Sequence, residues 1–462
     1  MKQRNRVTVF NMVSTLILTG ISIFTSPLFS RLLDTSGYGI LSTYNVWTQV
    51  MTILAFLNTG STLVYARVQY PEEEQVRYQS AVMTLSLVAF SACCILIVVF
   101  LGPISRLLKL SYGLLALLMV QSFGTFCTNF LSVKFQYELK AGRNMVFSLL
   151  TAGLSLGLSL VLVLSMPQQD RYVGRILGNA IVYAALGLGA CAFILLRGKT
   201  FFRLDHWKFC LKLVPALIFM DLSYLVLGHS DLVMVRNFLG DSPAGIYGMA
   251  YTFSGVMFAI FTALNRSWVP FYFDGMKSGD AQRVSSQARN FLELFTVLSM
   301  GFVLLTNEVF HIFASRDYWP GTGLIPIFVL GYYLNFLCTF PINYEHYHMK
   351  VKIVSTVTVA ASLLNVLLNY ILIQRMGMQG AVIATACCQG LPLLVHQAYI
   401  WVAFRGEEYP FGLRLLWSYL AAFCGALLLT LLLPEAWLPR WLLGGLIGIW
   451  ELLRIKKRGV LI

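Results

Sequence analysis

Charge is what this sequence has least of. Only 12% of its 462 residues are Asp, Glu, Lys or Arg, against about 25% in a soluble domain. With 58% hydrophobic residues, the chain lacks the polar surface that a water-facing domain needs. Long polar stretches are missing too. The two longest connections between apolar blocks, around residues 198–209 and 274–289, are too short to fold as a separate catalytic domain. The nine cysteines include the neighbours Cys93–Cys94 and Cys387–Cys388. No CxxC occurs, so the composition argues for buried inert thiols over a zinc or redox motif. HExxH and GxxxxGK[ST] are absent as well, so neither metalloprotease chemistry nor ATP hydrolysis by this chain is expected. Catalytic residues, a metal and a cofactor are therefore not expected.

What the sequence does have is apolar blocks of about twenty residues, each long enough to cross a bilayer as a helix. The blocks are continuous, not alternating, which selects helices over a barrel. The fold class that follows is an all-α polytopic membrane protein with about fourteen spans. Their centres fall near Leu18, Met51, Phe90, Gly124, Leu156, Ala184, Met220, Val256, Leu298, Leu334, Leu364, Thr385, Ala422 and Leu446. Residues 7–30 carry no charge until the block ends; they are too long for a signal h-region and lack a small-residue cleavage site, so they read as the first span. On a soluble protein the net charge of +14 would invite nucleic acid. Here the basic residues sit in short connections and set orientation: about 25 of the 34 Lys and Arg fall on the side of the N-terminus. An even number of spans then puts both termini in the cytoplasm.

The chain also repeats itself. "LDTSGYGILSTY" (residues 33–44) resembles "LGDSPAGIYGMA" (239–250), and "RYVGRILGNAIVYA" (171–184) resembles "GMQGAVIATACCQG" (377–390). Gly39 aligns with Gly245 and Gly174 with Gly380, both at a shift of 206 residues. A shared shift points to duplication: a six-helix lobe over residues 1–200, a second over 201–408, and two added helices with a basic tail over 409–462. Parallel duplicated bundles around a central site are a transporter pattern.

Four stretches carry a family resemblance: "SPLFSRLLDTSGYGILSTYNVW", "DLVMVRNFLGDSPAGIYGMAYTFSG", "NRSWVPFYFD" and "LLNVLLNYILIQRMGMQGAVIATACCQG". In order and spacing they resemble polysaccharide transporters of the MOP (multidrug, oligosaccharidyl-lipid, polysaccharide) exporter superfamily. The resemblance covers nearly the whole chain. It implies a Wzx-type flippase of the bacterial cytoplasmic membrane, moving undecaprenyl-diphosphate-linked oligosaccharides from the inner to the outer leaflet by alternating access. The implied partners are that glycolipid, membrane lipids and other polysaccharide assembly proteins. Lipid II flippases and cation-coupled drug exporters of the same superfamily stay open as alternatives. A membrane polysaccharide polymerase stays open too, although such an enzyme is expected to carry a long outer loop.

Few ionisable residues lie inside the spans, and each is a site candidate because charge in lipid is costly. Asp221, His229 and Asp231 in the seventh span are candidates for coupling a proton or Na⁺. Alternatively, Asp221 pairs with a basic neighbour to hold two helices, and Asp231 forms an interfacial ion pair with Arg236. Asp221, Tyr224 and Gly228 share a face that could line a cavity. Arg266 with Asn265 in the eighth span, and Arg31 and Arg67 near the ends of the first two, are candidates for substrate binding. A guanidinium holds two phosphate oxygens at once. The alternative for these arginines is snorkelling to headgroups, with Trp268 as an anchor beside Arg266. Glu293, Glu308, His311 and His396 are weaker candidates.

Overall fold

The computed structural model describes residues 25–138, 140–405 and 409–458, and all regular structure among them is helical. Two compact units emerge: one spans Leu32–Val226, the other takes residues 25–31 together with the chain from Leu227 onward.

Residues 25–32 are helical (α1) and lead into α2 (Thr35–Leu54), the first helix of the first unit. Asp34 caps α2 by accepting from Gly37 N–H at 3.1 Å, which satisfies one of the free donors at a helix start. The second span then breaks. Leu57 and Asn58 are left-handed, with φ of 53° and 47°, and the chain resumes through a short 3₁₀ turn into α3 (Leu63–Gln69), bent 53° from α2. Asparagine tolerates this conformation and leucine does not, so the surroundings must hold it. Phe56, fully buried, stacks between Phe90 at 4.7 Å and Phe126 at 4.2 Å. There follow α4 (Glu72–Val99), the short α5 (Leu101–Leu108), α6 (Tyr112–Tyr137), α7 (Ala141–Ser165), α8 (Arg171–Gly198) and the first part of α9 (Leu204–Leu239). Helix α8 packs along α6 and α7. At the α6–α8 crossing a Cβ on Gly124 would lie 2.2 Å from the Tyr183 carbonyl carbon, and one on Gly187 2.6 Å from Gly124 Cα. Only glycine permits so close an approach of two membrane helices.

The second unit holds the rest of α9, then α10 (Asp241–Lys277), α11 (Ala281–Phe313), α12 (Ile325–Tyr347), α13 (Val351–Met376), α14 (Met378–Ala403), α15 (Leu413–Leu432) and α16 (Trp437–Arg458). Its α14 packs along α12 and α13, the same order as in the first unit. The repeat glycines match in helix position: Gly39 and Gly245 are each the fifth residue of α2 and α10. Gly174 and Gly380 lie in the first turn of α8 and α14, and each presses on the backbone of the preceding helix, at Leu162 and Leu372.

Eleven described helices are long and apolar enough to cross a membrane, and the bent α2–α3 pair makes a twelfth. Apolar side chains such as Val98, Leu164, Leu363 and Trp401 are more than 60% exposed, as lipid-facing residues of a multi-pass membrane protein must be. Most of the first predicted span lies outside the described residues. The last, α16, is a helix but falls outside the eleven. It carries charge at Arg440, Glu451 and Arg454, all buried. The two long predicted connections shrink as well: α8 ends at Gly198 and α9 starts at Leu204, while only residues 278–280 separate α10 from α11. What read as polar loop is helix projecting past the apolar core. Helix α10, with 37 residues, is about 55 Å long at 1.5 Å per residue, against a hydrocarbon thickness near 30 Å.

Candidate functional site

The densest buried polar network of the second unit is built around Asp231, which is 1% exposed. Its Oδ2 accepts from the Tyr247 hydroxyl of α10 at 2.6 Å and from the Thr385 hydroxyl of α14 at 3.0 Å. Its Oδ1 accepts from Leu232 N–H at 2.8 Å. Thr385 Oγ1 in turn accepts from Asn365 Nδ2 of α13 at 3.3 Å. Asn365 Oδ1 accepts from Asn369 Nδ2 at 2.9 Å and from the Ser230 hydroxyl at 3.0 Å. The Asn369 side-chain oxygen is buried without a hydrogen-bond partner. Groups from α9, α10 and α14 thus meet on one carboxylate, and α13 joins the network through Thr385. An isolated buried carboxylate is costly; here three hydrogen bonds offset part of that cost.

His229 sits one turn-fraction back on α9, its ring 5.5 Å from that of Tyr251. The expected ion pair of Asp231 with Arg236 is not what holds either residue: Arg236 Nε donates to Asp241 at 2.6 Å. Asp241 is the first residue of α10, so this pair ties the α9–α10 corner.

Asp221 belongs to the first unit, in a different setting. Its Oδ2 accepts from Asn58 Nδ2 at 2.7 Å and from the Ser61 hydroxyl at 3.5 Å, at the break between α2 and α3. On the face it shares with Tyr224 and Gly228, Tyr224 is 57% exposed and a Cβ on Gly228 would meet nothing within 4 Å.

Of the four substrate candidates, Arg67 lies in the first unit and Arg31, Asn265 and Arg266 in the second. Arg266 is exposed on α10 and Asn265 half-buried beside it, with the Asn265 side-chain oxygen lacking a hydrogen-bond partner. Arg266 is not at the helix end: α10 continues past Pro270 to Lys277, about 16 Å further. Trp268 is not an interfacial anchor either. It is 1% exposed and stacks on Phe291 at 5.2 Å, inside the bundle. Arg31 donates from Nη2 to the Ile312 carbonyl at 3.2 Å. Arg67, at the end of α3, lines a cavity of about 360 Å³ in the first unit.

The weaker candidates have partners within the second unit. Glu293 pairs with Arg454, and Glu308 with Arg440, pinning α16 on α11. His396 Nδ1 lies 2.8 Å from Glu345 Oε1, both fully buried. His311 stacks on Trp319 at 4.1 Å. Among the described residues no group of three or more His, Cys, Asp or Glu is placed to hold a metal ion. The sequence reading missed Tyr247, Asn365, Asn369 and Thr385. A signal existed: "LLNVLLNYIL" sets two asparagines four apart in an apolar helix, which puts both on one face.

Comparison with known proteins agrees with this architecture. A family model described as polysaccharide biosynthesis protein matches residues 6–276, more than half of the chain. An uncharacterized membrane protein of Haemophilus influenzae is 23% identical over 216 residues, 44% of this chain. That match spans about half the length of the curated relative, 52%. Among solved structures, the lipid II flippase MurJ in an inward closed conformation superposes with a TM-score of 0.72, at 15% identity, over 97% of this chain and 99% of that one. An inward-facing multidrug resistance MATE family transporter of the MOP superfamily gives 0.62 at 12% identity, over 90% of this chain and 99% of that one. At these identities the likeness is one of fold.

Proposed function

The chain belongs to the polysaccharide biosynthesis protein family, and we propose that within it the chain is a flippase for undecaprenyl-diphosphate-linked oligosaccharide repeat units. It carries them from the inner to the outer leaflet of the bacterial cytoplasmic membrane by alternating access, for assembly of a surface polysaccharide. Both termini face the cytoplasm. The family supports the cargo class, and the MurJ-like and MATE-like fold supports transport.

The observation that carries the reading is the Asp231 network. A carboxylate buried among lipid-spanning helices, with only neutral hydrogen-bond partners, is a place where a small cation or proton can be taken up and released. The oxygen donors available, Asp231, Thr385, Asn365 and Asn369, are hard ligands suited to such an ion. Its binding would bias the positions of α9, α10, α13 and α14 together, and so couple an ion gradient to the cycle. On the substrate side, Arg266 with Asn265 grips the diphosphate, the one part of the cargo that stays constant between sugars.

A polymerase or ligase is disfavoured by the short connections among the described helices, which leave no room for a catalytic domain. The test is where glycolipid collects when the gene is deleted. Accumulation of single repeat units in the cytoplasmic leaflet supports flipping; accumulation in the outer leaflet indicates polymerisation instead. Accumulation of lipid II would redirect the assignment to peptidoglycan precursor transport.

A further inference from the structure

The cavity lined by Arg67 has a chemistry of its own. It lies where α3, α4, α6 and α8 end or begin, wholly within the first unit. Four basic residues line it, Arg67, Lys134, Lys140 and Arg197, against two carboxylates, Glu72 and Glu138. The basic residues come from three separate connections that the charge count alone assigned to one side of the membrane, and the fold gathers them in one place.

They are not equivalent. Lys134 is buried, its ammonium donating to Gln79 Oε1 and paired with Glu138 Oε1 at 3.0 Å. Lys140 takes the other Glu138 oxygen at 2.6 Å. One carboxylate is thus shared by two lysines, which leaves local positive charge in excess. Arg67 and Arg197 are exposed and have no carboxylate partner among the described residues. Arg67 donates to the Tyr137 carbonyl, and Arg197 lies over the Phe193 ring at 5.9 Å. Two exposed guanidinium groups without a carboxylate partner, on a built cationic floor, suit a doubly charged phosphate, which each can hold through its N–H donors.

Size and surroundings narrow the occupant. About 360 Å³ is at the small end of ligand pockets, which run from about 300 to 1,000 Å³. It suits a headgroup rather than an oligosaccharide. Val68 and Leu196, next in sequence to Arg67 and Arg197, are 90% and 69% exposed. Phe201 and Phe202 just beyond α8 are exposed as well. Exposed apolar side chains beside a cationic pocket at the helix ends match a molecule with a charged head and an acyl tail.

We propose that this cavity binds the phosphomonoester headgroup of an inner-leaflet anionic lipid, at a site separate from the Asp231 network. The site does not depend on which cargo the transporter carries, and its test needs no transport assay.

The full chain, purified in neutral detergent, is titrated with short-chain phosphatidic acid while its thermal unfolding is followed. The expected result is a saturable rise in Tm, weakened by salt, with no rise from phosphatidylcholine of the same chain length. Arg67→Gln with Arg197→Gln is expected to raise the lipid concentration needed at least tenfold. Both side chains are exposed, so the unliganded variant should unfold near the wild-type temperature. Arg197→Gln alone, which leaves the Arg67–Tyr137 bond in place, serves as a second variant, and lipid retained from anionic bilayers, counted by native mass spectrometry, as a second readout. An unchanged response in both variants overturns the site, as does an equal response to phosphatidylcholine. Inorganic pyrophosphate matching the lipid at equal concentration overturns the lipid assignment in favour of a free anion.

Discussion

Asn58, left-handed at the break in the second span, donates from Nδ2 to Asp221 Oδ2 at 2.7 Å and to the Leu217 carbonyl at 3.2 Å. One side chain therefore fastens a broken helix to the middle of α9. A break leaves backbone groups without helical partners, and inside a membrane these must be met by the protein. This makes positioning the break the role we test for Asp221, beside the ion-coupling role proposed for Asp231.

If Asp221 acts as a latch, Asp221→Asn and Asn58→Ala should each lower thermal stability, by the loss of about 1.5–3 kcal/mol that a hydrogen bond to a charged group contributes. The double variant should cost little more than either single one, since both remove the same bond. The cation or pH dependence of transport should survive. Flattening of that dependence in Asp221→Asn would instead make Asp221 the coupling residue.

Asp231→Asn should abolish ion-dependent transport at equal expression, measured as the loss of cation or pH response in proteoliposomes. Asn369→Ala should weaken the response without removing it, because it withdraws one oxygen and leaves the carboxylate. A normal ion response in Asp231→Asn would remove the network from the coupling mechanism.

Arg266 separates two readings by what lysine does. Gripping a diphosphate needs the planar fork, so Arg266→Lys should impair export strongly and Arg266→Ala nearly abolish it. If Arg266 only meets lipid phosphates, a point charge suffices and lysine should work almost normally. Polysaccharide export at matched protein levels reads the difference.

Arg440, fully buried, donates to the Leu304 and Pro434 carbonyls as well as to Glu308. Glu308→Ala should therefore cost less than the roughly 3–5 kcal/mol of stranding a buried charge, about 1–3 kcal/mol. The loss should appear as earlier release of α16 in hydrogen exchange.

Glu138 lies outside the spans. Burial pushes its carboxyl up, but the hydrogen bonds and charges of Lys140 and Lys134 outweigh burial and hold it below the usual carboxylate range. Its unfolded value is near 4.3. The stabilisation is thus full above about pH 4.3 and fades as pH falls through the lower folded value. Glu138→Gln should unfold earlier than wild type at neutral pH, and the gap should close in acid.

The helices and their order were legible in the sequence because lipid imposes a simple rule: twenty apolar residues in a row have one stable form. Positions 174 and 380 were legible because glycine recurs where each helix meets the backbone of the one before it, and 39 and 245 because they share a place in their helices. The break at Leu57–Asn58 was not. Composition across that span is continuous, and only the packing of Phe56 and the bond to Asp221 make a left-handed leucine tolerable. The long connections were misread for a related reason: helices extending beyond the hydrocarbon carry polar residues, so polarity marks the edge of the lipid and not the end of the helix.

For the candidate site the sequence determined which residues were anomalous, since any charge in an apolar block stands out. It could not say what each one meets. Glu293 and Glu308 looked like Asp231 on paper, and arginines of α16 claimed them. Asp231 instead met a tyrosine, a threonine and a backbone N–H, with two asparagines behind the threonine, neutral groups that no charge count would flag. Burial cost acts locally and is written in composition. Much of its compensation comes from helices more than a hundred residues away, as Thr385 does for Asp231 and Arg454 for Glu293, and only the tertiary structure brings those groups within reach.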